Sequence, residues 1–103
     1  MAQELNEQNF KETIAKGNVV VDFWAPWCGP CKQMGPEFDA AAQEVQDVTM
    51  CKVNVDESQS IAAEVGIRGI PTVIFYKDGA EVGRFSGAKD KAAIVEEVNK
   101  AFE

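Results

Sequence analysis

Two thiols stand out as groups able to do chemistry. Cys28 and Cys31 are separated only by Gly29-Pro30, directly after the apolar run Val19 to Trp24. Three uses of such a pair are open. A zinc ribbon needs a second C-x₂-C, and if Cys51 opened it the partner would fall at Asn54, so a tetrahedral thiolate site is one ligand short. Plain packing of two small residues is the second, although a loop–helix junction beside Gly and Pro serves it poorly. Thiol–disulfide exchange is the third. A cysteine in the first turn of a helix meets unpaired N–H groups and the positive end of the dipole, which favour the attacking thiolate. A second cysteine one turn on can then attack the first sulfur within the same loop, sparing the entropy of another encounter. Pro30 suits a first helical turn, and Gly29 leaves room for an approaching chain.

A lone acid, Asp22, sits in the apolar run before the pair. A carboxyl in a buried strand loses hydration, which disfavours its charged form and raises its pKa. It is either an incidental polar residue or an acid–base group for the sulfur chemistry. The chain has no histidine. Imidazole catalysis, Cys-His nucleophiles and His-based metal sites are thereby excluded.

These groups need elements to hold them. Asn6 can cap a first helix, with Leu5 packing on Phe10 and Gly17 closing it. "MAQEL" offers only Ala2 and Leu5 as apolar material. Val19 to Trp24 has the continuous apolar character of a strand covered on both faces. A helix should start around Cys28 to Cys31, with Met34, Phe38, Ala41 and Val45 on its inner side and a kink at Pro36. Val48 to Val55 reads as a strand and Ser58 to Val65 as a short helix ended by Gly66. Thr72 to Tyr76 and Glu81 to Ser86 form a hairpin turning at Asp78-Gly79. Asp90 caps a last helix lined by Ile94, Val95, Val98 and Phe102. The expected fold is α/β, a central mixed sheet of four to five strands flanked by about four helices. A chain of 103 residues is read as one domain, 1–103.

The net charge of −7 argues against nucleic acid or anionic lipid as partners. The opening residues do not resemble a leader, and no stretch approaches a membrane span. A cytoplasmic location and a monomer are expected. In that compartment a close cysteine pair points to redox or metal chemistry.

The stretch "FWAPWCGPCK", Phe23 to Lys32, resembles the active-site segment of thioredoxins. "KVNVDE" (Lys52 to Glu57), "GIRGIPTVIFYKDG" (Gly66 to Gly79) and "FSGA" (Phe85 to Ala88) extend the resemblance over nearly the whole chain. It implies an exposed nucleophile at Cys28, a buried resolving thiol at Cys31, and a redox-active disulfide between them. It implies a cis bond before Pro71, against the active sulfur. Asp22 would take the proton of Cys31, and Lys52 would moderate Asp22. Trp27, Gly29, Pro30, Gly69, Ile70, Pro71 and Gly87 would receive an extended segment of a protein substrate, with backbone groups around Ile70 pairing as in strand addition. The partners implied are protein disulfides and a thioredoxin reductase, with no bound cofactor. The uncharged spacer Gly29-Pro30 does not stabilise the thiolate strongly, so the dithiol should donate electrons. The competing class is a binding module or subunit in which the redox pair is incidental. Cys51 lies outside the motif and reads as a buried inert thiol, the alternatives being a glutathione site or a dimer link.

Overall fold

The computed structural model describes residues 2–103. Strand β1 (Gln3–Leu5), helix α1 (Phe10–Ile14), strand β2 (Asn18–Trp24) and helix α2 (Gly29–Glu44) are followed by β3 (Val48–Asn54) and α3 (Gln59–Val65). The hairpin β4 (Thr72–Lys77) and β5 (Ala80–Ser86) then leads to α4 (Lys91–Ala101). The sheet order is β1-β3-β2-β4-β5. β1, β3 and β2 run parallel, while β4 and β5 join antiparallel. The observed order is the βαβαβαββα that the resemblance implies, and the elements after β1 are those the apolar pattern also predicts.

β2 is central because its side chains are apolar on both faces. Val19, Val21 and Phe23 pack with Leu5, Phe10, Ile61 and Tyr76 on the α1/α3 side. Val20 packs with Met34, Phe38, Ala41, Phe75, Ile94 and Val98 on the α2/α4 side. Such two-sided coverage is what a parallel-sheet core strand requires. Asp22 occupies the Val20 face and is 1% exposed.

Three local features differ from or refine the expectation. The first helix begins at Phe10, not at the residue after Asn6. The Asn6 side-chain oxygen accepts from the backbone N–H of Gln8 and Asn9 (2.9 and 3.2 Å), and the Asn6 backbone N–H donates to Asn9 Oδ1 (2.8 Å). These bonds, with the Phe10 N–H donating to the Asn6 carbonyl at 3.0 Å, make Asn6 the cap of the turn that leads into the helix, as expected, although the regular helix itself starts at Phe10. α2 continues through Pro36 to Glu44. Packing of Met34, Phe38 and Ala41 holds the helix together across the missing N–H. Asp78 and Gly79 both have positive φ (49° and 89°), as the tight hairpin turn requires.

Candidate active site

β2 ends at Trp24 and delivers the chain to Cys28, the N-cap of α2. Its sulfur accepts from the Cys31 N–H at 3.1 Å, satisfying one of the free donors of the first turn. Pro30 lies in that turn, where a missing N–H costs nothing. Cys28 and Cys31 are joined as a disulfide, with Cα atoms 5.2 Å apart. The sequence resemblance implied an exposed first cysteine. In this oxidised state both are nearly covered, at 5% and 4% exposure, in a cluster with Ala25, Trp24, Val55 and Ile70. They differ in where they face. Cys28 Sγ lies 3.9 Å from the Ile70 carbonyl oxygen, whereas Cys31 lines a cleft shared with Asp22.

The antiparallel arrival of β4 brings the distant 66–71 segment to the same place. The Ile70–Pro71 bond is cis. Thr72 Oγ1 donates to the Gly69 carbonyl at 2.6 Å and lies 3.1 Å from Ser86 Oγ. Gly87, at φ 91°, donates its N–H to the Pro71 carbonyl at 2.9 Å. Gly66 ends α3 in the left-handed conformation. The guanidinium of Arg84 donates to the Val65 and Gly66 carbonyls at 2.9 and 3.3 Å, tying the start of this loop to β5.

Trp27 is 68% exposed, and its indole N–H donates to Asp56 Oδ2 at 2.9 Å. A large apolar ring is thereby held in solvent by a hydrogen bond. It borders an open groove of about 380 Å³ whose other walls include Gln59, Arg68, Gly69 and Ile70.

On the opposite side of Cys31, a cleft of about 390 Å³ reaches Asp22, Trp24, Asp39 and Lys52. Burial pushes the Asp22 carboxyl up to about 7, with Lys52 pulling it down and Glu4 and Asp39 adding to the rise. Asp22 Oδ1 is buried without a hydrogen-bond partner. Lys52 is the cross-strand neighbour of Asp22, yet its ammonium lies over the Trp24 ring, 5.1 Å from the centroid. Among the described residues Lys52 makes no ion pair within 4.0 Å.

The structure therefore gathers Asp22, Cys31 and Lys52 beneath the disulfide, and Trp27, Gly69 and Ile70 along a groove beside it. Gly29 and Pro30 form the turn, and Pro71 and Gly87 support the facing loop. Sequence reading passed over Asp56, Arg68, Asp39 and Glu4. Asp56 stood inside a motif already singled out, whereas Glu4 and Asp39 become visible only through register and packing. Cys51 is wholly buried within β3, where burial pushes its thiol up to about 11. Among the described residues no group of three or more His, Cys, Asp or Glu side chains is placed to hold a metal, and no helix is long and apolar enough to cross a membrane.

A mixed sheet that presents a Cys-Gly-Pro-Cys disulfide at a helix N-terminus, opposite a proline loop, defines a thiol–disulfide oxidoreductase. The thioredoxin family model matches residues 1–100, and the chain belongs to that family. It is 43% identical over 100 residues to the thioredoxin of Chlamydia trachomatis serovar D, covering 97% of this chain and 98% of that one. It is 44% identical over 102 residues to the chloroplastic M-type thioredoxin of Chlamydomonas reinhardtii, covering 96% and 73%. Among solved structures, a chain from work on thiol resolution in a yeast mitochondrial 1-Cys peroxiredoxin through the glutathione and thioredoxin systems superposes with a TM-score of 0.87. That chain is 35% identical, with 96% of this chain and 94% of the other covered.

Proposed function

We propose that the dithiol form reduces protein disulfides, with Cys28 as nucleophile and Cys31 as resolving thiol. The Cys28 thiolate attacks one substrate sulfur, forms a mixed disulfide and releases the other substrate sulfur as a thiolate. Cys31 gives its proton to the Asp22 carboxylate and attacks Cys28 Sγ. The second substrate thiolate leaves, and the Cys28–Cys31 disulfide forms. Two electrons have moved to the substrate. A thioredoxin reductase returns two electrons and two protons to the pair. The reading has the protein act as a cytoplasmic monomer, in one domain and without a bound cofactor.

The observation that carries this reading is the placement of Cys31. It faces a cleft holding a buried carboxyl, while Cys28 lies against the Ile70 carbonyl at the mouth of the groove. A substrate segment laid in that groove meets Trp27, Arg68 and the backbone around Ile70 before it meets the sulfur. Lys52, beside Asp22, moderates the charge that Asp22 takes on.

The test is insulin reduction with excess dithiothreitol, read as turbidity. The wild-type chain should accelerate precipitation, and Cys28→Ser with Cys31→Ser should abolish the effect. No acceleration by the wild type would reject the reading. Cys31→Ser alone should accumulate mixed disulfides at Cys28, and Asp22→Asn should slow their resolution. A binding module would instead keep its partners after both cysteines are replaced.

A further inference from the structure

Asp22 is one member of a longer row of charges. In the sheet, Glu4 of β1 stands opposite Lys52 of β3, and Lys52 stands opposite Asp22 of β2. Directly opposed residues share a face, so the three side chains leave the sheet on the α2 side. The edge strand that carries Glu4 is fastened there, since the Ala2 N–H donates to Asp39 Oδ1 on α2 at 3.3 Å. A single lysine thus stands between two acids, one strand spacing from each along the sheet, and its ammonium rests over Trp24 with no ion pair to either within 4.0 Å among the described residues.

We propose that Glu4 is a positioning residue that acts through Lys52: its charge competes for the ammonium, so Lys52 does not neutralise Asp22 and the buried acid remains a proton acceptor near neutral pH. The proposal rests on the exchange role given to Asp22 above. Other ionisable groups also face Asp22. α2 contributes Cys31, Lys32 and Asp39 around the cleft, and β3 contributes Lys52. From β4 the opposed residue is Val73, which carries no charge. Burial is the largest cause of the raised Asp22 affinity for protons, with Lys52 opposing it and Glu4 ahead of Asp39 among the acids reinforcing it. Glu4 is itself pushed up by partial burial and drawn down by the Trp24 side chain and then by Lys52, with Glu57 adding to the rise, so both carboxyls feel the same cation.

The test follows the Asp22 side-chain carboxyl by ¹³C NMR during a pH titration of the oxidised protein, where neither active-site thiol titrates. Two strand spacings separate Glu4 from Asp22, about 10 Å. Loss of the direct field across that distance lowers the Asp22 midpoint by about half a pH unit, and with Lys52 also released toward Asp22 the Glu4→Gln change should lower it by about one unit. Glu4→Lys, with twice the change in charge, should lower it about twice as far. In a Lys52→Met background the Glu4→Gln shift should shrink. An unchanged midpoint in folded Glu4→Gln and Glu4→Lys proteins overturns the proposal. So does a shift of equal size with and without Lys52, which would leave only a direct field. Insulin reduction by the wild type reports separately on the exchange reading, so the two can fail independently.

Discussion

Burying Asp22 should make the stability of the fold depend steeply on pH, and replacing it should remove that dependence. Its carboxyl ordinarily titrates at 3.8 and is raised to about 7 in the folded chain. Below about pH 4 it is protonated whether the chain is folded or not, and burial of the neutral acid carries no charge penalty. Between these values the unfolded chain loses the proton while the folded chain keeps it. Stability is therefore fully present below 3.8, declines as pH rises, and levels off once pH passes the folded value near 7. At about 1.4 kcal/mol per tenfold change in proton affinity, the interval corresponds to about 4 kcal/mol. Asp22→Asn keeps the shape and cannot ionise. Any constant cost of the amide cancels from the pH trend. Urea unfolding of the oxidised wild type and variant at intervals from pH 4 to pH 8 measures the difference directly. The variant's relative stability should climb by about 3–4 kcal/mol between about pH 4 and pH 7 and then flatten. Parallel curves would show that Asp22 is not a desolvated acid, and its part in the exchange cycle would lose its physical basis.

Phe38 is wholly buried between α2 and the sheet, so Phe38→Ala should cost about 3–5 kcal/mol in urea unfolding. The oxidised native protein should show no thiol to Ellman's reagent and one in denaturant, since Cys51 is the free cysteine and is covered. A reactive native thiol would return Cys51 to the list of regulatory sites. Trp27→Ala should change stability by less than about 1 kcal/mol because the ring is mostly in solvent. It should nonetheless raise KM for a protein disulfide several-fold while leaving reduction of a small disulfide nearly unchanged. Arg84→Met removes the donors to the Val65 and Gly66 carbonyls, and amide exchange should quicken over residues 66–70 ahead of the rest of the sheet.

Much of this architecture could be read directly from residue order because local and tertiary preferences agree. Val19 to Phe23 could be buried on both faces only inside a sheet covered twice. Asp78-Gly79 accepts the positive φ values that a tight hairpin demands. Asp90 indeed caps α4, accepting from the Ala93 N–H at 2.9 Å. Asn6 caps the first turn as its side chain predicts, but the regular helix starts only at Phe10, a boundary set by which residues continue the bonding and not by the cap. At the site, the cysteines and Pro71 were visible as a motif, whereas their surroundings were not. Glu4 enters the row of charges only through the β1–β3 register, a pairing of residues 48 positions apart that no local pattern encodes. Arg84 likewise reaches back to α3 across the β4–β5 hairpin.

The reversal of direction between β2 and β4 also has a consequence for the opposite end of the molecule. Gly17, Asp47 and Asp78 all fall where Asn18 meets Val48 and Lys77, a strand length of about 20 Å from the sulfurs. Gly17 and Asp78 are laced together there, the Asp78 N–H donating to the Gly17 carbonyl at 2.9 Å and its carboxylate accepting from the Gly17 N–H at 2.8 Å. The Asp47 corner is not part of that lacing. A fluorophore, tether or inserted peptide attached at Asp47 would project away from the reacting tip, giving the protein a handle by which it can be immobilised without obstructing its partners.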